Sequence, residues 1–198
     1  ELCGTLKSDI EPSHIPVILL TARDDRQSQI SGYKNGADGY LSKPFEVEML
    51  MELIRNRSKN REYTKKRYLN AGLIPTPEES TISLTDETFL IKLNSIIQEN
   101  IDNTNLGIQF ICQEVGLGRS SLYNKLKALT GMGANEYISK LRIEKAITLI
   151  SGTDMPFSEI AEKTGFTTPS YFSTAFKQYT GETPSQYKER KKKGLADK

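Results

Sequence analysis

The spacing of apolar residues changes period along this chain. Residues 15–22, "IPVILLTA", are a short, nearly continuous apolar run with β-branched members, the pattern of a strand buried in a parallel sheet. "DDRQSQISGYKNGA" follows, with Ile30 and Tyr33 at helical spacing and a stop at Gly36. "GYLSKPF" predicts a second short strand ended by Pro44. "EVEMLMELIRN" returns to a helix with Val47, Leu50 and Ile54 on one face, and "ELCGTLK" in front reads as the end of a helix. Strands alternating with helices are the signature of a doubly wound α/β sheet. Two strands cannot complete such a sheet, so the others are expected ahead of Glu1.

From Glu46 the helical pattern runs on to Asn70, polar and charged nearly all round, which suits a connector or pairing helix rather than core. "AGLIPTPEEST" (71–81) reads as a linker, with two prolines and a glycine. "TISL" is expected to add a short strand. A second domain is expected from about Asp86. There "TDETFLIKLNSIIQENI" has a capping-box-like stretch from Thr85 to Thr88, then Phe89, Leu90, Leu93, Ile96 and Ile97 at helical spacing.

The last ninety residues contain a duplication. Ile111 and Gly116 match Ile160 and Gly165 at an offset of 49. After the turn the offset is 50: Leu122, Leu126 and Leu129 match Phe172, Phe176 and Tyr179, Thr130-Gly131 matches Thr180-Gly181, and Tyr137 matches Tyr187. Each copy reads as a short helix, a glycine turn and a second helix, a helix-turn-helix. The glycines supply the positive φ that a tight turn needs. In the second copy Thr168 is placed to cap and Pro169 to occupy the first helical position. The aromatic positions 172, 176 and 179 form a core stripe, so this aromatic bulk is packing. The opposite faces carry Arg119, Ser120, Tyr123, Asn124 and Lys127 in one copy and Ser170, Ser173, Thr174 and Lys177 in the other. Hydroxyls, an amide, a phenol and cations suit hydrogen bonding to base edges and phosphates. "NEYISKLRIEKAITLIS" (Asn135–Ser151) joins the copies as an amphipathic helix of about 25 Å. That length suits two recognition helices aimed at successive major grooves, which recur about every 34 Å.

Composition narrows the function classes. The net charge of +2 over 198 residues is no nucleic-acid signature by itself. Its basic excess lies on helix faces and at Lys188, Arg190, Lys191, Lys192 and Lys193. Cys3 and Cys112 make no disulfide framework, which points to a reducing compartment. His14, the single histidine, reads as a loop residue. One histidine, no nucleophile–base pair and no glycine-rich phosphate loop argue against an enzyme. No apolar run approaches the roughly 20 residues of a membrane helix.

"PVILLTA" and "GADGYLSKPF", in this order, make residues 1–57 resemble the second half of a response-regulator receiver domain. The resemblance implies that Thr21 binds a phosphoryl group carried on an aspartate and that Lys43 neutralises its charge. It further implies that Tyr40 is the switch aromatic and that Lys43–Pro44 is cis. The family's phosphoacceptor and acidic Mg²⁺ ligands belong to its first three strands. No cofactor is therefore expected for this segment, and Mg²⁺ only for an intact receiver domain. Asp24 and Asp25 follow the wrong strand and read as helix-start residues.

"SEIAEKTGFTTPSYFSTAFKQYTGETPSQYK" and "LRIEKAITLI" make residues 86–193 resemble the AraC/XylS-type DNA-binding domain. The family's base-reading positions fall on Ser120, Tyr123 and Asn124, and on Ser170, Tyr171, Ser173 and Thr174. Ala134 stands where the first copy usually has proline, which implies a slightly softer helix start. The expected fold class is mainly α: a partial doubly wound α/β receiver segment (1–57), a connector helix and linker (58–85), an all-α double helix-turn-helix domain (86–193) and a tail (194–198). The expected function is a cytoplasmic, sequence-specific transcription regulator at the output end of a hybrid two-component protein. Its expected partners are double-stranded DNA, a histidine kinase or kinase domain of the full-length protein, and a second copy in a homodimer, with no membrane contact. The alternatives are a fragment of a stand-alone response regulator and a protein-interaction module without DNA binding.

Overall fold

The computed structural model describes residues 1–23, 25–71 and 83–196. Asp24, most of the predicted linker (72–82) and the last two residues of the tail lie outside the described residues. The chain forms two compact units, one of residues 1–92 with 117–132, the other of residues 93–116 with 133–198.

The first unit opens with α1 (Leu2–Ser8), β1 (Ile18–Thr21), α2 (Arg26–Lys34), β2 (Gly39–Ser42) and α3 (Val47–Ala71). The two strands pair in parallel, Ile18 with Gly39 through Thr21 with Ser42. Parallel pairing requires a crossover, and α2 supplies it. Gly36, at φ 83°, ends the helix where the sequence placed the stop. β2 is buried at Gly39, Tyr40 and Leu41, whereas β1 is not the buried strand its composition suggests: Leu20 is 42% exposed. The physical reason is pairing on one side only, since among the described residues β1 has β2 as its one neighbour. Ile30 and Tyr33, read at helical spacing, and Val47 and Ile54, read on one helix face, are exposed as well.

The predicted strand at "TISL" is not formed by its described part. Leu84 begins α4 (Leu84–Glu99), while Thr81 and Ile82 lie outside the described residues. The helix start is capped at Ser83, whose Oγ accepts the Asp86 N–H at 3.2 Å, and not at Thr85. The Thr85 hydroxyl donates to the Lys7 carbonyl at 3.0 Å. The unit is completed by α6 (Arg119–Thr130), against which α3 packs.

The second unit holds the rest of α4, α5 (Ile108–Val115), α7 (Ala134–Gly152), α8 (Phe157–Lys163), α9 (Pro169–Thr180) and α10 (Pro184–Ala196). Its core combines Ile143, Ala146 and Ile150 of α7, Ile160 and Ala161 of α8, Phe166, Phe172 and Phe176, and Tyr187 of α10. The rings follow one another at 5.4 Å (Phe166–Phe172), 5.7 Å (Phe172–Phe176) and 5.6 Å (Phe176–Tyr187), tilted or edge to face. Such pairs add about 0.5–1.5 kcal/mol each beyond area burial. Helix α7 is not one-sided as its spacing predicted. It buries Tyr137, Ile138, Lys140, Leu141, Ile143, Ala146 and Ile150, because α8, α9 and α10 all pack on it. Its start has a polar cap despite Ala134: the Glu136 carboxylate accepts the Gly133 N–H at 3.3 Å, and Ala134 is itself buried.

Candidate nucleic-acid interface

Both duplicated turns close in the same way. Gly116 and Gly165 take φ of 73° and 71°, the left-handed region that glycine enters without a Cβ penalty. The second helix of each copy then begins. In the second copy the Thr168 hydroxyl accepts the Tyr171 N–H at 3.1 Å and Pro169 is the first helical residue, as the sequence predicts. Both second helices end at a left-handed glycine, Gly131 (φ 79°) and Gly181 (φ 83°).

In α6 the buried face is Leu122, Lys125, Leu126, Leu129 and Thr130, and the expected readers Ser120, Tyr123 and Asn124 are all exposed. Arg119 and Lys127 share that exposure. In α9 Phe172 and Phe176 are fully buried, while Ser170, Tyr171 and Thr174 are exposed and Ser173 is half-buried. Tyr171 rests its ring edge-on against Phe166 at 5.8 Å. Tyr179, expected in the core stripe, is 42% exposed instead, its hydroxyl donating to Glu144 Oε1 at 3.4 Å. A phenol keeps its polar end wet while its ring covers apolar surface.

Two hydroxyls among the expected readers are already committed on one side. Ser173 Oγ donates to the Pro169 carbonyl at 2.9 Å and Thr174 Oγ1 to the Ser170 carbonyl at 3.1 Å. Each hydroxyl has one hydrogen and two lone pairs, so both face outward as acceptors. The basic residues of α10 are partly neutralised. Arg190 grips Glu182 with two nitrogens, at 2.6 and 3.0 Å, and Lys188 and Lys192 share Asp154. Lys188 in turn holds the Asp154 carboxyl below its usual range.

The receiver-like residues sit at the ends of the two strands. The Lys43 N–H donates to the Thr21 carbonyl at 2.7 Å, and the Lys43–Pro44 bond is cis. Thr21 Oγ1 accepts the Arg23 N–H at 3.1 Å. Tyr40 points inward, 9% exposed, its hydroxyl donating to the Arg23 carbonyl at 2.7 Å. Thr21, Arg23, Asp25 and Tyr40 share an open cleft of about 740 Å³, while the Lys43 side chain is exposed. Asp25 caps α2 by accepting the Ser28 N–H at 2.7 Å, and the Ser28 side chain, then this N–H, hold its carboxyl below the usual range. It is a helix-start residue, as its position suggested. Among the described residues no group of three or more His, Cys, Asp or Glu could hold a metal ion.

Two residues escaped the sequence reading. Lys125 is fully buried; its signal was its place between Leu122 and Leu129 on the core stripe, where the second copy has Ala175. Arg142 ties α7 to the loop between α4 and α5, its Nε donating to the Ile101 carbonyl at 3.2 Å and its Nη2 to that of Asn103 at 2.7 Å.

Comparison with known proteins agrees with this anatomy. Residues 111–190 match the model of a helix-turn-helix domain, and residues 1–55 that of the response regulator receiver domain. Histidine kinase P4 of Formosa agariphila is 41% identical over 190 residues, which are 96% of this chain and 14% of that protein. This chain therefore spans about a seventh of that relative. The C-terminal domain of the two-component response regulator yesN from Fusobacterium nucleatum is 31% identical over 48% of this chain and 93% of that one, with a TM-score of 0.46. A transcriptional regulator with an AraC-type DNA-binding domain from Chromobacterium violaceum shares the fold, at 24% identity and a TM-score of 0.50, over 53% of this chain and 93% of that one. Residues 111–190 are therefore a helix-turn-helix domain of the AraC type, and a segment of a response regulator receiver domain, residues 1–55, precedes it.

Proposed function

We propose that residues 86–193 read a specific duplex with two recognition helices, α6 and α9, one in each of two adjacent major grooves. The observation that carries this is the duplicated arrangement: a left-handed glycine turn, a helix anchored by buried apolar side chains, and polar readers left in solvent, twice in one chain. Asn124 is the side chain suited to bidentate contact with adenine N6 and N7. The hydroxyls of Ser173 and Thr174, presented as acceptors, suit the exocyclic amino groups of adenine or cytosine. Tyr123 and Tyr171 offer phenols to phosphate or base, and Ser120 and Ser170 sit at the helix starts, where backbone N–H groups favour phosphate. These readers are weaker than an arginine–guanine pair, so DNA shape contributes to selection.

In the full-length protein this chain serves as the output end of a two-component system. The name of the Formosa agariphila relative and the high coverage of this chain support a hybrid protein, with kinase and regulator in one polypeptide. Such a regulator works in the cytoplasm, takes its phosphoryl group from a histidine kinase region and needs Mg²⁺ only in a complete receiver domain. In this reading the chain has no catalytic role of its own. Thr21 and Lys43 take part in phosphoryl recognition, Tyr40 changes position with it, and a second copy brings further recognition helices to the operator.

Selection of duplexes from a random library, followed by measurement of Asn124→Ala on the winning sequence, tests the reading. A loss of about 1–3 kcal/mol confined to one cluster of base pairs is the expected result. Failure to enrich any sequence would instead favour a protein-interaction module.

A further inference from the structure

We propose that Lys125 is a positioning residue for the recognition helix α6, and that Ser13 makes this position answer to the receiver segment. The inference rests on the DNA-reading role of α6 proposed above. Lys125 and Ser13 are 0% and 1% exposed, and Asp86 is 4% exposed. The Lys125 ammonium pairs with Asp86 Oδ1 and donates to Ser13 Oγ at 2.7 Å; beneath it lies the Phe89 ring, 5.1 Å to the centroid. Ser13 Oγ in turn donates to Asp86 Oδ1 at 2.7 Å, which closes a three-membered polar cluster. Its members come from three places: the turn after α1, the start of α4 and the middle of α6. A buried charge pair is dear to build and weak as a source of net stability, but it is directional: a helix holding it cannot slide or roll without uncovering a charge.

Lys125 shares a turn of helix with the expected readers. It follows Asn124 directly and lies two positions after Tyr123, so any roll that the cluster resists would swing both off their bases. Beside it, Ser121 donates to the Glu11 carboxylate, a second tie from the same turn after α1 to α6. The second copy, with Ala175 at this place, carries no equivalent. The cluster therefore gives α6, and not α9, a link to the receiver segment.

The test uses the whole chain. Amide hydrogen exchange of Ser13→Ala is expected to quicken about 3- to 10-fold in α6, as befits one lost hydrogen bond, with α9 unchanged. Parent rates in α6, or equal acceleration in both helices, overturn the proposal. In a second arm, the apolar replacement Asp86→Leu with Lys125→Met is expected to melt near the parent while losing about tenfold in discrimination at the base pairs read by α6 only. A double variant that reads its site like the parent shows a role in stability alone and sinks the positioning role. If the parent itself selects no duplex, the DNA reading has failed, and the exchange arm still decides the link between Ser13 and α6.

Discussion

Nη2 of Arg142 stands 2.7 Å from the point where a side chain on Gly165 would begin. The turn glycine of the second copy is thus held on two counts, by its left-handed backbone and by the Ile101 carbonyl and the Arg142 guanidinium laid against it, the carbonyl nearer still. Its counterpart Gly116 has the same backbone and open space around it, with nothing within 4 Å. The two substitutions Gly116→Ala and Gly165→Ala should therefore differ. The first is expected to cost about 1–2 kcal/mol for the left-handed conformation alone. The second adds about 1–3 kcal/mol of overpacking. Urea unfolding of the two variants checks this, and equal losses would mean that the Ile101 carbonyl and Arg142 both move aside freely.

The start of α9 rests on one side-chain bond, from the Tyr171 N–H to Thr168. Thr168→Ala is expected to lose about 1 kcal/mol of stability, and Thr168→Ser to keep most of it. Thermal or urea denaturation of both variants decides this. An alanine variant as stable as the parent would show that Pro169 alone sets the helix start.

Burial, then the negative charge of Glu144 and the hydrogen bond to it, push the Tyr179 hydroxyl up to about 12 from 10.0. Its folded pKa lies above its unfolded one, so the folded chain holds this proton more tightly. The associated stability is fully present below about pH 10 and is lost as pH rises toward 12. Tyr179→Phe should remove this part of the decline between pH 10 and 12. Glu144→Gln should shift the Tyr179 titration, followed by ultraviolet absorbance, to lower pH. A Tyr179 transition unmoved by Glu144→Gln would leave burial as the whole cause.

The acceptor role proposed for Thr174 also gives an expected outcome. Thr174→Val keeps the shape and removes the lone pairs, so it should reduce discrimination at one base pair under α9 by about 1 kcal/mol. Binding to a panel of single-base operator variants measures it. A uniform loss across the panel would place Thr174 on phosphate instead.

What the sequence by itself determined is local or repetitive. Two glycine turns, their capping residues, the apolar stripes and the outward polar faces follow from spacing, because helix period and positive φ are properties of a few neighbouring residues. The offset of 49 then 50 revealed the duplication, and with it which side of α6 and α9 faces solvent. Tertiary structure decided what depends on partners distant in the chain. Leu20 reads as core and is exposed, its strand having β2 as its one neighbour among the described residues; Tyr179 reads as core and keeps its hydroxyl at Glu144. Lys125 escaped the sequence reading and is buried, because its charge is matched by Asp86, 39 residues earlier, and one of its N–H groups is accepted by Ser13, 112 residues earlier. Periodicity reports which way a side chain points. Whether it meets water, an apolar wall or an opposite charge there is settled only when the other segments arrive.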